Sequence, residues 1–397
     1  MQTLEMDKLG LAGPDLSGST HTFTRDGSME MENQIRKICQ GVMEGIRHIV
    51  PLRKLQAVLL GGGYGRGEGG VFHAQDHDTL YNDMEFYVFI SGVTLLNEKL
   101  YGDKLRELGE KLGEQAGVDV DFKILSLAKF RNSEASMFFY DLAVGHKWLY
   151  GQEELFKNCL HHKNPGNIPM VEGTRLLMNR CTGLLLMKER MRHGTLLQDF
   201  AGRNLAKLQL AMGDALLTAY GRYHSSCLER GERVQQLQSL PDFPWLDEVK
   251  RHHAAGVEFK LHPTRNVNDE KEIKALFNEL ANLSLKVWLW LENRRLNQSF
   301  ATAREYAMSP VNKYPKTKWY RNWVINVIRF GPEIAMRQEA LRYPRERLFN
   351  TLPLLLWESL PEDDLKLMDH LQEQLQTFAT TPEALVHAYT RMWEQVR

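Results

Sequence analysis

Hydrophobic and polar positions divide the chain into an early part with strand patterns and a later part without them. Apolar residues recur at helical spacing over residues 29–50, and Ser28 stands in the N-cap position before them. An amphipathic helix with a charged face is predicted at 97–117. Short apolar or alternating runs predict three strands, at residues 55–60, 83–90 and 118–125. The order of these elements predicts an α/β unit with a mixed sheet over residues 29–160.

The later part begins after "HHKNPGNIP" (161–169), where Pro, Gly and Asn mark a connection. Long helical patterns follow, so we predict an all-α bundle at 170–307 and a helical extension at 308–397. Later helices are expected at residues 269–307, 319–329, 333–343, 361–378 and 382–396. The predicted fold class is therefore α+β. Residues 1–28 are rich in Gly, Ser and Thr, lack the pattern of a signal peptide, and are expected to be disordered.

The balance of charges in the whole chain argues against nucleic acid and anionic membranes as partners. The 50 basic and 50 acidic residues cancel, so no global field recruits nucleic acid or an anionic membrane. No run of apolar residues approaches the length that crosses a bilayer, and the four scattered cysteines fit reduced thiols. We expect a soluble cytoplasmic protein that has no membrane partner. Binding of nucleic acid is not favoured. The oligomeric state is not predicted.

The segment "NKYPKTKWYRNW" (312–323) is a local exception, because its four cations are interleaved with aromatic residues. Such a segment can hold RNA by stacking on bases and contacting phosphates. A solvated loop that leads into an amphipathic helix explains the same pattern, and both interpretations stay open.

Acidic residues stand inside two of the predicted strands. Asp83 and Glu85 share one strand face, with Cα atoms roughly 6.5–7 Å apart, and they repel each other unless a cation lies between them. Carboxylate oxygens suit a divalent metal such as Mg²⁺. Asp119 and Asp121 share one face of the third strand. If the two strands are neighbours in the sheet, a third acid lies beside the first two.

A glycine-rich loop, "GGGYGRGEGG" (61–70), directly follows the first strand. Its exposed backbone N–H groups can form a concave nest for phosphate oxygens, and Arg66 adds a bidentate donor. Arg66 could instead pair with Glu68, which we interpret as structural. The spacing also fits a G-x-G-x-x-G dinucleotide loop, but no convincing helix pattern opens at the last glycine.

The loop and the first acids resemble the polymerase-β-like nucleotidyltransferase superfamily. Its signature joins a Gly-Gly or Gly-Ser turn to an Arg-Gly-Glu-like continuation and then to an Asp-x-Asp/Glu on the next strand. Residues 62–68 and 83–85 match this pattern. The bacterial small-molecule adenylyltransferases, including the aminoglycoside-modifying ones, and the minimal nucleotidyltransferases are most similar, since their α/β domain also precedes a helical bundle.

Two further segments bear on the resemblance. "VDFKIL" (120–125) resembles the third strand of the family, which places the third acid on Asp121 rather than Asp119. The gap between the glycine turn and Asp83 is longer than is usual in the family, with "HAQDHDTLY" (73–81) inserted. This departure leaves the geometry of the substrate loop open.

The resemblance implies a Mg²⁺-dependent enzyme that moves a nucleoside monophosphate, by default AMP from ATP, onto a hydroxyl of a small molecule and releases pyrophosphate. It implies two Mg²⁺ ions, for which Mn²⁺ can substitute. The implied metal and catalytic residues are Asp83, Glu85 and Asp121. The implied nucleotide-binding residues are Gly62, Gly63, Arg66 and Lys207.

Lys207 is among the implied nucleotide-binding residues because a bundle helix supplies a lysine to the triphosphate in the resembling families. The segment "RNLAKLQLAMGDALL" (203–217) resembles that helix. An ion pair within or between helices is the alternative for this lysine. Two alternatives also remain for the function: transfer to a protein side chain or an RNA end, and a non-catalytic regulator that binds nucleotide.

Overall fold

The computed structural model describes residues 22–73, 78–238, 242–264, 269–360 and 364–396. The first helix, α1, spans Met29–Ile49, and the Ser28 hydroxyl accepts the backbone N–H of Met31, which confirms the predicted N-cap. Residues 22–28 belong to the segment expected to be disordered. They are held in place by the Glu32 carboxylate, which accepts backbone N–H groups from residues 22–24 at 2.8–3.2 Å. The rest of that segment, residues 1–21, lies outside the described residues.

A mixed sheet follows, as the sequence predicts, with four strands where the pattern predicted three. Its strands are β1 (Leu55–Leu60), β4 (Met84–Ile90), β5 (Val120–Leu125) and β6 (Lys147–Tyr150), in the order β5-β4-β1-β6. Strand β4 runs parallel to β5, while β1 runs antiparallel to β4 and to β6. A separate antiparallel hairpin consists of β2 (Val71–His73) and β3 (Asp78–Leu80).

Each face of the sheet packs against its own hydrophobic cluster. On one face, residues such as Val58, Phe86 and Ile124 pack with α1 and with α2 (Thr94–Ala116). On the other face, residues such as Leu59 and Phe89 pack with the short helices α3 (Leu127–Asn132) and α4 (Met137–Val144). Because side chains alternate along a strand, the acids of β4 and β5 lie on the second face, beyond the end of its hydrophobic cluster.

The sequence pattern did not predict β2, β3 or β6. The paired strands β2 and β3 lie at the two ends of the insertion at 73–81, whose residues 74–77 are outside the described residues, and each strand has three residues. Strand β6 has four residues and pairs with β1. A period of two cannot be recognised over three or four residues, so only pairing partners identify such strands.

The remaining described helices follow in chain order. They are α5 (Val171–Arg192), α6 (Gln198–Ala219), α7 (Cys227–Gln235), α8 (Leu246–Leu261), α9 (Glu270–Leu296), α10 (Ala303–Met308), α11 (Trp319–Phe330), α12 (Glu346–Trp357), α13 (Leu365–Leu375) and α14 (Pro382–Val396). None of the described helices is long and apolar enough to cross a membrane.

Two predicted helices differ in the structure. The helix expected at 269–307 divides into α9 and α10, because Asn297 adopts a left-handed conformation with φ of 53°. The helix expected at 333–343 is wrong, since two short 3-10 turns occupy this region. Extended backbone at Arg337 separates the turns. Helix α12 was missed because Pro353 stands inside it and its apolar run shows no helical period.

Contacts group the chain into two compact units that are not continuous in sequence. The first unit contains residues 1–169, 220–237 and 257–264, and the second contains 170–219, 238–256 and 265–397. The units are thus divided differently from the predicted domains, because α7 and the end of α8 pack with the sheet-containing part.

Candidate active site

Glu85 and Asp121 are direct register partners on the parallel strands β4 and β5. Neighbouring strands lie about 4.8 Å apart, so the two carboxylates project side by side from one face of the sheet. Burial, followed by the Asp119 and Glu85 carboxylates, raises the pKa of Asp121. Neither Glu85 nor Asp121 forms an ion pair with another residue in the described part of the chain. The pair is therefore a focus of uncompensated negative charge.

Asp83 and Asp119 each lie two residues before a member of this pair, directly before the start of β4 and of β5. The strand β4 begins at Met84 rather than at Asp83, whose side chain is exposed. The backbone N–H of Met84 donates to the Asp119 carbonyl at 2.8 Å, and this bond joins the starts of the two strands. Over the described ranges, no group of three or more His, Cys, Asp or Glu side chains is arranged to hold a metal ion. The structure thus brings Glu85 and Asp121 together without completing a three-carboxylate set.

Tyr87 orients the Glu85 carboxylate. Its hydroxyl donates a hydrogen bond to Glu85 Oε2 at 2.5 Å. Burial, followed by the Glu85 charge, raises the pKa of Tyr87, so its hydroxyl keeps its proton and remains a donor. The ring lies against Gly61, where a Cβ atom would be 2.3 Å from Tyr87 Cε2. This tyrosine was recognised in the sequence only as a member of the same strand face.

The glycine loop begins beside the same carboxylate. Residues Gly62–Gly65 form one helical turn directly after β1, and Gly62 has a φ of +61°, which favours glycine. A Cβ atom on Gly62 would lie 3.3 Å from both Cδ and Oε1 of Glu85. Even one methyl group would therefore crowd the carboxylate, and the absent side chain leaves that space open.

Tyr64 fixes the loop to the inserted hairpin. Its hydroxyl donates to the Gly70 carbonyl at 3.1 Å and accepts the backbone N–H groups of Tyr81 and Asn82 at 3.2 and 3.3 Å. The Asn82 side-chain oxygen in turn accepts the N–H of Gly70 at 2.8 Å. The insertion therefore closes back onto the glycine loop and delivers Asp83 next to it.

Glu68 is structural, as predicted. Its carboxylate accepts hydrogen bonds from Ser226 Oγ at 2.5 Å and from the backbone N–H groups of Cys227 and Leu228 at 2.8 and 3.3 Å, at the start of α7. Arg66 Nε lies 3.9 Å from Glu68 Oε2, a long ion pair. This Nε is buried and finds no hydrogen-bond partner among the described residues. Arg66 therefore keeps a donor for another acceptor.

Lys260 is a site residue that the sequence analysis missed. It lies in the last turn of α8, is partly buried, and forms no hydrogen bond or ion pair with any residue that the structure describes. Burial, followed by the Arg66 guanidinium, lowers the pKa of Lys260 to about 8, while Cys227 and the Glu85 carboxylate act in the opposite direction. The ammonium group is therefore close enough to Arg66 and Glu85 to sense both charges. Its sequence context, "GVEFKLH" (256–262), mixes charged and apolar residues and gave no signal for it.

Lys207 lies exposed on α6, in the second compact unit. Two charged neighbours of Lys207 along α6 have partners within that unit. Arg203 pairs with Asp199 at 2.8 Å, and buried Asp214 lies 3.2 Å from His253 Nε2. A role of Lys207 toward nucleotide stays a prediction.

Comparison with solved structures shows a distant likeness to an adenyltransferase. The chain is similar to the spectinomycin adenyltransferase AAD(9) from Enterococcus faecialis, crystallised with ATP and spectinomycin, at 13% identity and a TM-score of 0.35. The likeness covers 66% of this chain and 99% of that chain. No protein-family model and no curated protein sequence matches the chain. Because the TM-score is below 0.5, the function has to be inferred from the chain's own residues.

Proposed function

We propose that the protein is a Mg²⁺-dependent nucleotidyltransferase that moves a nucleoside monophosphate, by default AMP from ATP, onto a hydroxyl group and releases pyrophosphate. One observation carries the proposal: Glu85 stands opposite Asp121, and the side-chain-free Gly62 borders the Glu85 carboxylate. Paired carboxylates next to an open glycine turn suit a polyphosphate with its divalent cation.

The donor set fits Mg²⁺ or Mn²⁺ in its chemistry, because it consists of carboxylate oxygens without thiols or imidazoles. Burial, followed by the Asp119 and Glu85 carboxylates, raises the pKa of Asp121, so a bound cation would relieve this cost. Glu85 and Asp121 would supply two ligands. Asp83, exposed just before β4, would complete the set by rotating its side chain. Bound Mg²⁺ would neutralise the polyphosphate and lower the pKa of the acceptor hydroxyl.

The reaction needs a base and a leaving group. Asp121 takes the proton of the acceptor hydroxyl, whose oxygen bonds to the α-phosphorus as the bond from that phosphorus to the β-phosphate oxygen breaks. Pyrophosphate carries away the electron pair of the broken bond. Tyr87 holds Glu85 in one orientation throughout, since its hydroxyl is committed to that carboxylate.

Cationic side chains and backbone N–H groups would hold the triphosphate tail. Gly62 offers backbone next to the Glu85 carboxylate, Gly63 follows it in the same turn, and Arg66 Nε has no hydrogen-bond partner among the described residues. Lys260 would supply a second cation near Arg66, because the charges of Arg66 and Glu85 both act on its pKa. Lys207 remains the candidate from the helical part.

The experiment uses α-labelled NTPs, Mg²⁺ and fractions of small molecules, proteins and RNA as acceptors. The wild-type protein should transfer label to a small hydroxyl compound and release pyrophosphate, while Asp83→Asn should release none. Label on protein or RNA would retain the chemistry and change the acceptor. Pyrophosphate release by Asp83→Asn at the wild-type rate would overturn the mechanism.

One observation favours a second candidate function. Over the described ranges no three-ligand metal group is formed, which would suit a regulator that binds nucleotide without turning it over. Calorimetry separates the two candidates: tight NTP binding with no transfer or hydrolysis, at any acceptor tested, would support the regulator.

A further inference from the structure

Helix α11 buries its two asparagines and exposes five of its apolar residues. Asn322 and Asn326 are 3% and 0% exposed. Trp319 and Ile328 are 64% and 77% exposed, and Tyr320, Trp323 and Val324 are exposed beside them. We call the five exposed residues, Trp319, Tyr320, Trp323, Val324 and Ile328, the α11 surface. The arrangement is the inverse of an ordinary surface helix.

Hydrogen bonds of the two asparagines fix this orientation. Asn326 Nδ2 donates to the carbonyls of Ala340 and Arg342 at 2.9 and 2.8 Å. Asn322 Nδ2 donates to the Leu341 carbonyl at 3.1 Å and to Thr317 Oγ1 at 3.0 Å. Turning the apolar face inward would leave these buried groups without hydrogen-bond partners, which is energetically unfavourable. The exposure is therefore built into the packing.

The segment that carries the α11 surface is locally basic. Residues 312–345 contain eight basic and two acidic residues, although the whole chain is neutral; of the basic residues, Lys313 is buried and Arg342 pairs with Glu346. Lys316, Lys318 and Arg321 are exposed and form no ion pair with any residue in the described ranges. Arg329, at the other end of the helix, donates to the Gln395 carbonyl. Cations thus flank the aromatic end of the exposed apolar face.

We propose that the α11 surface binds an anionic lipid bilayer. Twelve residues make a helix of about 18 Å, too short to cross a bilayer, so it would lie in the plane of the headgroups. Tryptophan and tyrosine suit the interface, and lysine and arginine are attracted to anionic headgroups. The sequence analysis expected no membrane partner partly because the net charge of the chain is zero. A net charge of zero does not reveal the local excess of basic residues around α11.

Other occupants fit less well. Val324, Ile328 and Met336, which is 96% exposed, are aliphatic and cannot stack on bases as RNA binding would need. A second copy packed through the same surface would bring like charges together. An apolar face with flanking cations complements an anionic lipid surface, because the apolar residues suit the acyl chains and the cations suit the headgroups.

Sedimentation with lipid vesicles tests the proposal on the full chain. The protein should sediment with phosphatidylcholine vesicles that contain about one third phosphatidylglycerol, less with added salt, and hardly at all with phosphatidylcholine alone. Ile328→Asp should reduce the bound fraction by about tenfold or more, and Lys318→Ala by about fivefold. Phe378→Asp is the matched control, because Phe378 is 96% exposed but lies outside the α11 surface.

Several results would overturn the proposal. One is absence of the protein from sedimented anionic vesicles, and another is an equal loss for Phe378→Asp and Ile328→Asp. Binding of oligonucleotides that depends on Trp319, without vesicle binding, would identify RNA instead. A dimer in light scattering that Ile328→Asp dissociates would identify a second copy. Nucleotidyl transfer in solution should be unaffected by Ile328→Asp, so this proposal can fail independently of the proposed function.

Discussion

Glu85 and Asp121 stand directly opposite each other on neighbouring parallel strands, and burial, followed by the Asp119 and Glu85 carboxylates, raises the pKa of Asp121. Like charges at this distance persist in a folded protein when a function requires them. If the pair is the proposed cation site, the free protein holds it at a cost in stability.

Removing one of these charges should separate stability from activity. Asp121→Asn should lower nucleotidyl transfer by about a thousandfold or more, because a metal ligand and the base are lost together. Its free energy of unfolding should be equal to or higher than that of the wild type, since repulsion from Glu85 is relieved. Pyrophosphate release and denaturant unfolding measure the two effects.

Asp119→Asn is the matched control, because it removes a neighbouring carboxylate of the same strand face. It should keep most activity. A reversed result, with Asp119→Asn inactive and Asp121→Asn active, would assign the third acid to Asp119.

The pH dependence of stability gives an independent check on Asp121. Its pKa is raised in the folded state, so the folded protein binds its proton more tightly than the unfolded chain does. Stability should therefore fall as pH rises through the range just above the ordinary carboxyl value of 3.8. Asp121→Asn should lack this part of the slope, and Mg²⁺ should reverse it in the wild type.

Gly62→Ala should damage the site through space and backbone strain together. The new Cβ would lie 3.3 Å from the Glu85 carboxylate at a φ of +61°. Gly92→Ala is the matched control, since Gly92 has a φ of +100° and nothing within 4 Å of its Cβ position. Both variants should lose about 1–2 kcal/mol of stability. Only Gly62→Ala should also lose activity, by about tenfold or more, and equal activity losses would contradict the account.

Lys260→Met should stabilise the free protein and weaken nucleotide binding. The pKa of Lys260 is lowered to about 8 from 10.5, so folding opposes its charge, and wild-type stability should rise with pH between these two values. The variant should lack this rise and have a higher Tm at neutral pH. Its Kd for NTP should increase by about tenfold. Lys207→Met is the companion variant, and a larger Kd increase there would move the phosphate contact to α6.

Nucleotide binding should also change the protonation of Lys260. A polyphosphate beside the ammonium group favours its charged form, so binding at a pH near 8 should take up about half a proton. Calorimetry in buffers with different ionisation enthalpies measures this uptake. Lys260→Met should abolish it, and unchanged uptake in the variant would show that another group is responsible.

Tyr87→Phe should impair positioning without impairing the fold. The variant loses the hydrogen bond to Glu85 Oε2 but keeps the ring that packs on Gly61. We expect kcat to fall by about tenfold and the KM for NTP to change little, with a higher Mg²⁺ requirement. Tyr101→Phe, on α2 and also buried, should leave all three quantities unchanged. A changed KM with an unchanged kcat would argue against the positioning role.

The face of each acid was predictable from the sequence because it depends only on alternation along a strand. Glu85, Tyr87 and Asp121 share the predicted face, and the boundary of β4 is shifted by one residue from its prediction. The helix start at Ser28 was also predictable, since a cap is a local interaction.

Lys260 could not be predicted, because its role depends on the return of α7 and the end of α8 to the sheet. The contact that secures this return joins Glu68 to Ser226 and Cys227, more than 150 positions apart in sequence. Sequence periodicity carries no information on such pairings. The inverted face of α11 was hidden for a similar reason, since carbonyls of residues 340–342 decide which side of the helix is buried.

A crystal structure with Mn²⁺ and a non-hydrolysable ATP analogue tests the central claim most directly, since anomalous scattering locates the metal. The account predicts Mn²⁺ about 2.1 Å from carboxylate oxygens of Asp83, Glu85 and Asp121, with the triphosphate along Gly62–Gly63. Mn²⁺ and nucleotide bound elsewhere on the protein, with these carboxylates uncoordinated, would contradict it.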